Sequence, residues 1–275
     1  MVAGLLTAGV TAGLAVAPSA SALASTATTS GQICVSKGHP HLAARLSDKI
    51  RAAIQGRQGA IGLAAADSRL GLTCAFNSST HFHAASVIKA TIISALLLKK
   101  GGVGHLSASD RALAWRMITE SDNDAANALW NETGRQGLEH FLNRARMTHT
   151  VLDYQHWGLS GLTAHDELTL LKLLSDRGRV LSAPSRRYVL YLMAHVEQGQ
   201  RWGVTEGAPA KVTVHVKNGW LPDPSLWEIN SIGVFTGKGI TYQIAMLTSG
   251  NPTMQYGIDT IQGACKYLNW NLAAF

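Results

Sequence analysis

Hydrophobic residues near the start of the chain repeat at helical spacing. Four of them stand four positions apart and would form one stripe of a helix: Leu42, Leu46, Ile50 and Ile54. Two short apolar runs follow at 60–66 and 72–76, and a polar turn separates them. Runs of this length that flank a turn predict a pair of strands. The first third of the chain therefore combines a helix with strands.

The middle of the chain is helical in pattern, and the end returns to strands. Apolar residues at helical spacing run through 86–200, and a new helix begins at Thr163 with Asp166 and Glu167 in its first turn. The strand-type stretches after Pro209 are 211–217, 228–235 and 241–249, and a last helix is predicted over 257–272. We therefore predict an α+β fold in which a single domain, 37–275, has two lobes. The mixed lobe comprises 37–83 and 205–275, and the inserted all-α lobe comprises 84–204.

Composition excludes several classes of protein. The chain has 275 residues, 46% of them hydrophobic, and a formal net charge of +7 that is spread along its length. It contains no arginine-rich block with interleaved aromatic residues, so we expect no nucleic-acid partner. No cofactor motif is found, and we expect a monomer whose positive charge permits weak association with an anionic cell wall.

The N-terminus predicts export. Residues 1–24 have the small apolar core and small-residue cleavage sites of a secretion signal, although the usual positive start is missing. Residues 25–36 are predicted to form a disordered spacer. In the extracellular, oxidising compartment that a signal implies, three cysteines allow one disulfide. The favoured pair is Cys34–Cys74, because it would tie the N-terminal segment to a strand, while Cys265 falls on the apolar face of the last helix.

Ser86 and Lys89 are three positions apart at the start of an apolar run that extends over 84–98, in which Lys89 is the only charge. On a helix the two side chains would share a face. A buried ammonium is costly, but a desolvated lysine loses its proton readily and can then deprotonate a nearby serine. The alternative is structural: Ser86 caps the helix while Lys89 extends to solvent.

Two further motifs favour the catalytic interpretation. Ser121-Asp122-Asn123 precedes an apolar helical stretch, and Lys217-Asn218-Gly219 follows a strand in which valines alternate with polar residues. A serine–lysine pair, a Ser-Asp-Asn loop and a lysine on a strand, in this order, resemble the serine β-lactamases and penicillin-binding proteins. The segment 119–127 is similar to the second-motif segment of the class A β-lactamases, and the resemblance extends from about Leu42 to the C-terminus.

The resemblance implies a role for each residue. Ser86 would be the nucleophile, Lys89 its base, and Ser121 a proton relay toward the leaving group. The oxyanion would be bound by the backbone N–H groups of Ser86 and Trp220. Lys217 would also be catalytic, because its charge would lower the pKa of Lys89 further, and it would pair with a substrate carboxylate. The substrate-binding residues would be Asn123, Asn218, Gly219 and Trp220. This chemistry needs no metal, and the His39/His41 and His81/His83 pairs are expected to be surface residues.

Two departures from the family pattern qualify the expected activity. Asn218 stands where the family usually has threonine, and the loop 152–158 lacks the glutamate that activates the deacylating water. His156 falls at about that position and is a candidate base; Asp153 and Glu167 are weaker candidates. We therefore expect rapid acylation by β-lactams or related amides and esters, with slow release. The alternatives are a D-alanyl-D-alanine carboxypeptidase or esterase, and a catalytically idle penicillin-binding protein.

Overall fold

A six-stranded antiparallel sheet forms the centre of the fold. The computed structural model describes residues 31–176, 178–223 and 225–274. The sheet order is β1-β3-β2-β8-β7-β6. Its strands are β1 (Cys34–Ser36), β2 (Ala60–Asp67), β3 (Leu72–Phe76), β6 (Thr213–Asp223), β7 (Leu226–Gly237) and β8 (Ile240–Asn251). A second, two-stranded sheet pairs β4 (His81–His83) with β5 (Gly161–Thr163).

Seven α-helices cover this sheet or form the insert between β4 and β6 in the part of the chain described. They are α1 (Pro40–Ile54), α2 (Lys89–Lys99), α3 (Ala108–Trp115), α4 (Asn123–Ala145), α5 (Ala164–Ser175), α6 (Ala183–Ala194) and α7 (Met254–Leu272). Helix α7 packs on β7 and β8, and α1 packs on α7, whereas α5 packs on β2, β7 and β8. Strands β2, β7 and β8 are buried along nearly their whole length, as expected of strands covered on both faces.

The observed architecture confirms the α+β prediction. Helix α1 begins two residues before the first apolar position because Pro40 occupies its first turn, where a missing N–H has no cost. The predicted strands 60–66 and 72–76 correspond to β2 and β3 within one residue. The third motif lies inside β6, which continues to Asp223 rather than ending at Lys217.

Three short strands were not predicted, and two of the predicted boundaries are corrected. The spacer predicted over 25–36 is wrong at its end, because 34–36 form β1. The segment 84–204 is not all-helical, because it contains β5, which pairs with β4. A strand of three residues is too short to show a two-residue period, so no pattern could reveal it. The predicted secretion signal lies outside the described residues.

The N-terminal strand is attached covalently and by hydrogen bonds. Cys34 and Cys74 are opposite each other in the β1–β3 pairing and form the expected disulfide. The backbone N–H of Cys34 also donates to the hydroxyl of Ser47 on α1, at 2.8 Å. Cys265 is a buried free thiol, as predicted. Within the part of the chain described, no helix is both long and apolar enough to cross a membrane.

Helix α2 runs through the core of the helical insert. Nine of its eleven residues are buried, including Lys89 at its first position. It ends as the two glycines predict: Gly101 has φ of +80°, and the N–H groups of Gly101 and Gly102 bond to the carbonyls of Leu98 and Leu97. Because α2 is buried on all sides, its position in the core is fixed, and so is the position of Lys89 at its N-terminus.

Glu167 on α5 is a buried carboxyl group, and both of its oxygens lack a hydrogen-bond partner among the described residues. Burial, with a smaller contribution from the charge of Asp166, raises its pKa from 4.5 to about 8. The folded protein keeps this proton while the unfolded chain loses it, so stability should fall as the pH rises from 4.5 to about 8. At pH 7 the cost is on the order of 3 kcal/mol.

We therefore expect Glu167→Gln to raise the melting temperature at pH 7.5 much more than at pH 5. Thermal unfolding followed by circular dichroism at both pH values measures the difference. Asp48→Asn, at an exposed carboxylate on α1, is the control and should show little change. Equal shifts of Glu167→Gln at the two pH values would contradict the account.

Candidate active site

Ser86 lies in a short 3₁₀ turn, Ala85–Ile88, that leads directly into α2. Side chains three residues apart in a 3₁₀ turn are eclipsed, so the sequence spacing of Ser86 and Lys89 brings them to one side. Ala85, just before Ser86, has φ of +46°, a left-handed conformation that is strained for alanine. Strain of this kind is held only where the surroundings impose it, and it is common next to reactive residues.

Lys89 is fully buried, as the catalytic interpretation requires. Its Nζ donates to the carbonyl and the hydroxyl of Ser121 at 2.7 and 3.2 Å, and to Oδ1 of Asn123 at 2.8 Å. Burial lowers the pKa of Lys89 from 10.5 to about 7, against an opposing effect of the charge of Asp122. A large fraction of this amine is therefore neutral at physiological pH.

Ser86 and Lys89 are not joined by a hydrogen bond, although they were expected to share one face of a helix. Among the described residues, no hydrogen bond joins the Ser86 hydroxyl to another group, and the three acceptors around Lys89 all belong to the second motif. Catalytic hydrogen bonds are often absent from a resting site and form when substrate binds.

Ser121 lies where two helices meet. It follows a π-helical turn, Arg116–Glu120, and has φ of +59°, which turns both its carbonyl and its hydroxyl toward Lys89. Asp122 then caps the start of α4, and its carboxylate accepts the N–H of Ala125 at 2.7 Å. Asp122 therefore caps α4, while Ser121 and Asn123 remain available to contact Lys89.

Lys217 completes a cluster of two amines around one hydroxyl. It is fully buried on β6, an edge strand, and its Nζ lies 3.0 Å from Oγ of Ser121 and 2.8 Å from the carbonyl of Asn218. Burial lowers the pKa of Lys217 well below its usual value, and repulsion by Lys89 lowers it further. Ser121 therefore connects the two lysines and can pass a proton between them.

The remaining third-motif residues differ in what they face. Gly219 lies against the Ser86 turn, so closely that a Cβ there would be 2.6 Å from the backbone nitrogen of Ser86. Trp220 is partly buried and its ring is tilted against that of Trp202, with ring centroids 6.0 Å apart. The Asn218 amide donates to the backbone carbonyls of Gln200 and Trp202 at 2.7 and 3.0 Å. Its NH₂ group is therefore occupied by the protein backbone, contrary to its expected contact with substrate.

A residue that sequence reasoning missed covers the amine. The ring of Trp157, in the loop between α4 and β5, has its centroid 4.9 Å from Nζ of Lys89. Its indole N–H donates to Oδ1 of Asn127 on α4, at 2.8 Å. His156 instead has an exposed side chain, and no hydrogen bond of its ring to the site is found in the described part of the chain. Trp157, and not His156, is the loop side chain that reaches the cluster.

The close approach of Gly219 yields a prediction. In Gly219→Ala, the added methyl group would overlap the backbone nitrogens of Ser86 and Val87, at 2.6 and 2.8 Å, and neither backbone can move without displacing α2 or β6. We expect the rate of acylation to fall by two orders of magnitude or more, because removing one oxyanion donor alone costs about that much. Stopped-flow acylation kinetics measure the effect. Gly263→Ala, on α7 with open space around it, is the control and should acylate normally.

The fold has counterparts among known structures. A class A β-lactamase from Bacteroides cellulosilyticus superposes with a TM-score of 0.71 at 17% identity, covering 82% of this chain and 97% of that one. A β-lactamase from Sphaerobacter thermophilus matches with a TM-score of 0.71 at 18% identity, over 84% and 97% of the chains. One from Xanthomonas campestris matches with a TM-score of 0.69 at 20% identity, over 84% and 98%. The fold is therefore that of the class A β-lactamases.

The family is established independently of these structures. The model of the beta-lactamase enzyme family matches residues 99–268, more than half of the chain. No curated protein matches the chain. The chain belongs to the beta-lactamase enzyme family and is a β-lactamase-like serine hydrolase. The matched stretch contains the second and third motifs but begins after Lys89, so the Ser86–Lys89 pair is supported by the geometry of the site rather than by that match.

Proposed function

We propose that this protein is an exported hydrolase that forms an acyl-enzyme on Ser86, with β-lactams or related amides and esters that carry a carboxylate as substrates. The observation that carries the proposal is the burial of Lys89 one 3₁₀ turn from Ser86, which lowers the pKa of its amine to about 7. A neutral amine at that place is the base that a serine nucleophile requires.

The reaction would follow from the contacts of the cluster. Neutral Lys89 accepts the proton of the Ser86 hydroxyl, and Oγ attacks the substrate carbonyl carbon. Negative charge develops on the carbonyl oxygen and is stabilised by the N–H groups of Ser86 and Trp220. The proton then passes from Lys89 through Ser121 to the leaving nitrogen or oxygen as its bond to carbon breaks. An ester on Ser86 remains, and one water must hydrolyse it to restore the enzyme.

Release of the acyl group is proposed to be the slow step. Trp157 lies over Lys89 and bonds to Asn127, and it is an apolar ring without a basic group. The loop 152–158 offers no glutamate to activate the water. This arrangement also favours the second candidate, a penicillin-binding D-alanyl-D-alanine carboxypeptidase or esterase, whose own substrate would be released faster than a penicillin.

The export of the protein, the charge of its substrate and its oligomeric state are each proposed from a different observation. The disulfide Cys34–Cys74 is consistent with an oxidising compartment, and so with export. Burial lowers the pKa of Lys217 in the free protein. A substrate carboxylate would raise this pKa, so Lys217 would become protonated and pair with the carboxylate. We propose a monomer that acts on small molecules and associates at most weakly with the cell wall.

A labelling experiment tests the proposal. A fluorescent penicillin should label the purified protein covalently, and Ser86→Ala should not be labelled. Ser94→Ala is the control, because Ser94 is a buried serine on α2 whose hydroxyl donates to the carbonyl of Ala90. Labelling that persists in Ser86→Ala would refute Ser86 as the nucleophile.

Hydrolysis of a chromogenic cephalosporin distinguishes the two candidates. Labelling together with turnover favours the β-lactamase. Labelling without turnover favours the carboxypeptidase or binding protein, and release of D-alanine from a D-alanyl-D-alanine peptide then separates these two.

A further inference from the structure

Outside the active site, two histidines converge on one buried carboxylate. His149 lies in the loop that follows α4, and His165 and Asp166 lie in the first turn of α5. The Nδ1 atoms of both histidines are 3.2 Å from the same oxygen, Oδ1 of Asp166. One ligand atom from each residue can be chosen so that all three lie within 4.8 Å of one another. The two imidazole rings are nearly perpendicular, with centroids 5.4 Å apart.

The two nitrogen–oxygen separations are close to those between the ligands of a tetrahedral metal ion. Zinc binds histidine nitrogen and carboxylate oxygen at about 2.0–2.2 Å, so tetrahedral ligand atoms lie about 3.3–3.5 Å apart. The two observed nitrogen–oxygen distances need to lengthen by only a few tenths of an ångström. Two nitrogens and one oxygen form a donor set that suits zinc and its first-row neighbours.

The carboxylate is held in place by other groups. Asp166 is fully buried, and its second oxygen, Oδ2, accepts the backbone N–H of His149 at 2.8 Å and the hydroxyl of Thr150 at 2.9 Å. The carbonyl of His149 is bonded in turn to Nε2 of His81, at 2.7 Å. Hydrogen bonds of this kind orient the ligands of metal sites before the metal arrives.

The site is open on one side, as a binding site for a metal ion from solution must be. The side chains of His149 and His165 are 43% and 52% exposed, whereas that of Asp166 is not exposed at all. Solvent can therefore reach the histidines and supply a fourth ligand. The charge of a metal ion would also compensate the buried carboxylate, whose partners among the described residues are the two imidazoles and the hydrogen bonds to Oδ2.

From this geometry we propose that His149, His165 and Asp166 bind one divalent transition-metal ion, with Zn²⁺ as the expected occupant. The ion is bound by the Nδ1 atoms of both rings and by Oδ1 of Asp166, so the proton of each neutral imidazole is carried on its other nitrogen. The metal joins the start of the loop that carries Trp157 to the first turn of α5. It is a structural clamp on that loop and is separate from the chemistry proposed for Ser86.

The test uses the purified, metal-stripped protein and Co²⁺, whose visible absorption reports its ligands, followed by competition with Zn²⁺. We expect one saturable Co²⁺ site that Zn²⁺ displaces, and a higher melting temperature in Zn²⁺. His165→Ala should lose the site. Thr150→Val, which leaves all three ligands in place, should weaken binding by about tenfold or more. His140→Ala, at an exposed histidine on α4, is the control and should bind like the parent protein.

Two results would overturn the proposal. One is the absence of saturable uptake at micromolar metal by the folded protein. The other is uptake by His165→Ala or His149→Ala that equals that of the parent. Circular dichroism verifies that each variant folds, and if His165→Ala does not, His149→Ala and Thr150→Val decide the question. Labelling of Ser86 by penicillin is measured in parallel, so failure of the metal site is distinguished from failure of the proposed function.

Discussion

Lys89→Met should reduce the rate of acylation by about a thousandfold while the protein stays folded. A positioned general base contributes about a hundredfold to ten-thousandfold, and methionine fills a similar volume without a basic group. The rate is measured with a fluorescent penicillin by stopped flow. The matched control is Lys99→Met on the same helix, where the amine bonds to the carbonyls of Glu132 and Thr133, away from the cluster. A near-normal rate in Lys89→Met would mean that another group removes the Ser86 proton.

The same variant should change how stability depends on pH. The pKa of Lys89 is about 7 in the folded protein and 10.5 in the unfolded chain, so the unfolded chain binds more protons between these values. The stability of the parent protein should therefore rise as the pH increases from 7 toward 10.5, relative to that of Lys89→Met. Urea unfolding at pH 7 and pH 9.5 measures this difference. Parallel pH profiles of the two proteins would show that the amine is not buried as described.

Trp157→Glu should raise the rate of deacylation by about a hundredfold, while its charge beside Lys89 raises the pKa of that amine and slows acylation at pH 7. Trp157 faces the cluster, as its contacts with Lys89 and Asn127 show, so a carboxylate at this position can activate a water near the ester on Ser86. Pre-steady-state and steady-state hydrolysis of a chromogenic cephalosporin separate the two steps.

Trp157→Gln is the matched control for this substitution. It opens the same space and keeps a polar side chain of the same length, but it has no basic group. Turnover should increase in Trp157→Glu well beyond that in Trp157→Gln. If both variants turn over equally, the tryptophan limits release by excluding water and not by the lack of a base at its position.

The sequence predicted the parts of the fold and site that depend on local pattern. Helix α2 is predictable because its apolar run ends at Gly101-Gly102. Strands β2 and β3 are predictable because a turn separates two apolar runs. The three motifs can be identified in the sequence because the residues of each motif lie close together in the chain. The contacts among Lys89, Ser121 and Lys217 were expected only through the resemblance, since they join residues more than thirty positions apart.

What the sequence could not predict depends on how loops pack. Trp157 reaches Lys89 while its neighbour His156 points to solvent, and no spacing rule distinguishes two successive loop residues. The direction of the Asn218 amide depends on the carbonyls of Gln200 and Trp202, which come from a separate segment. The convergence of His149 and His165 was also not predicted, because it depends on the path of the loop and of β5 between α4 and α5.

The most direct test of the central claim, that burial makes Lys89 the base for Ser86, is the pH dependence of the acylation rate of the parent protein. The account predicts a rate that rises with pH through a midpoint near 7, as Lys89 loses its proton, and no such rise in Lys89→Met. A midpoint close to the ordinary lysine value of 10.5, or an unchanged midpoint in Lys89→Met, would contradict it.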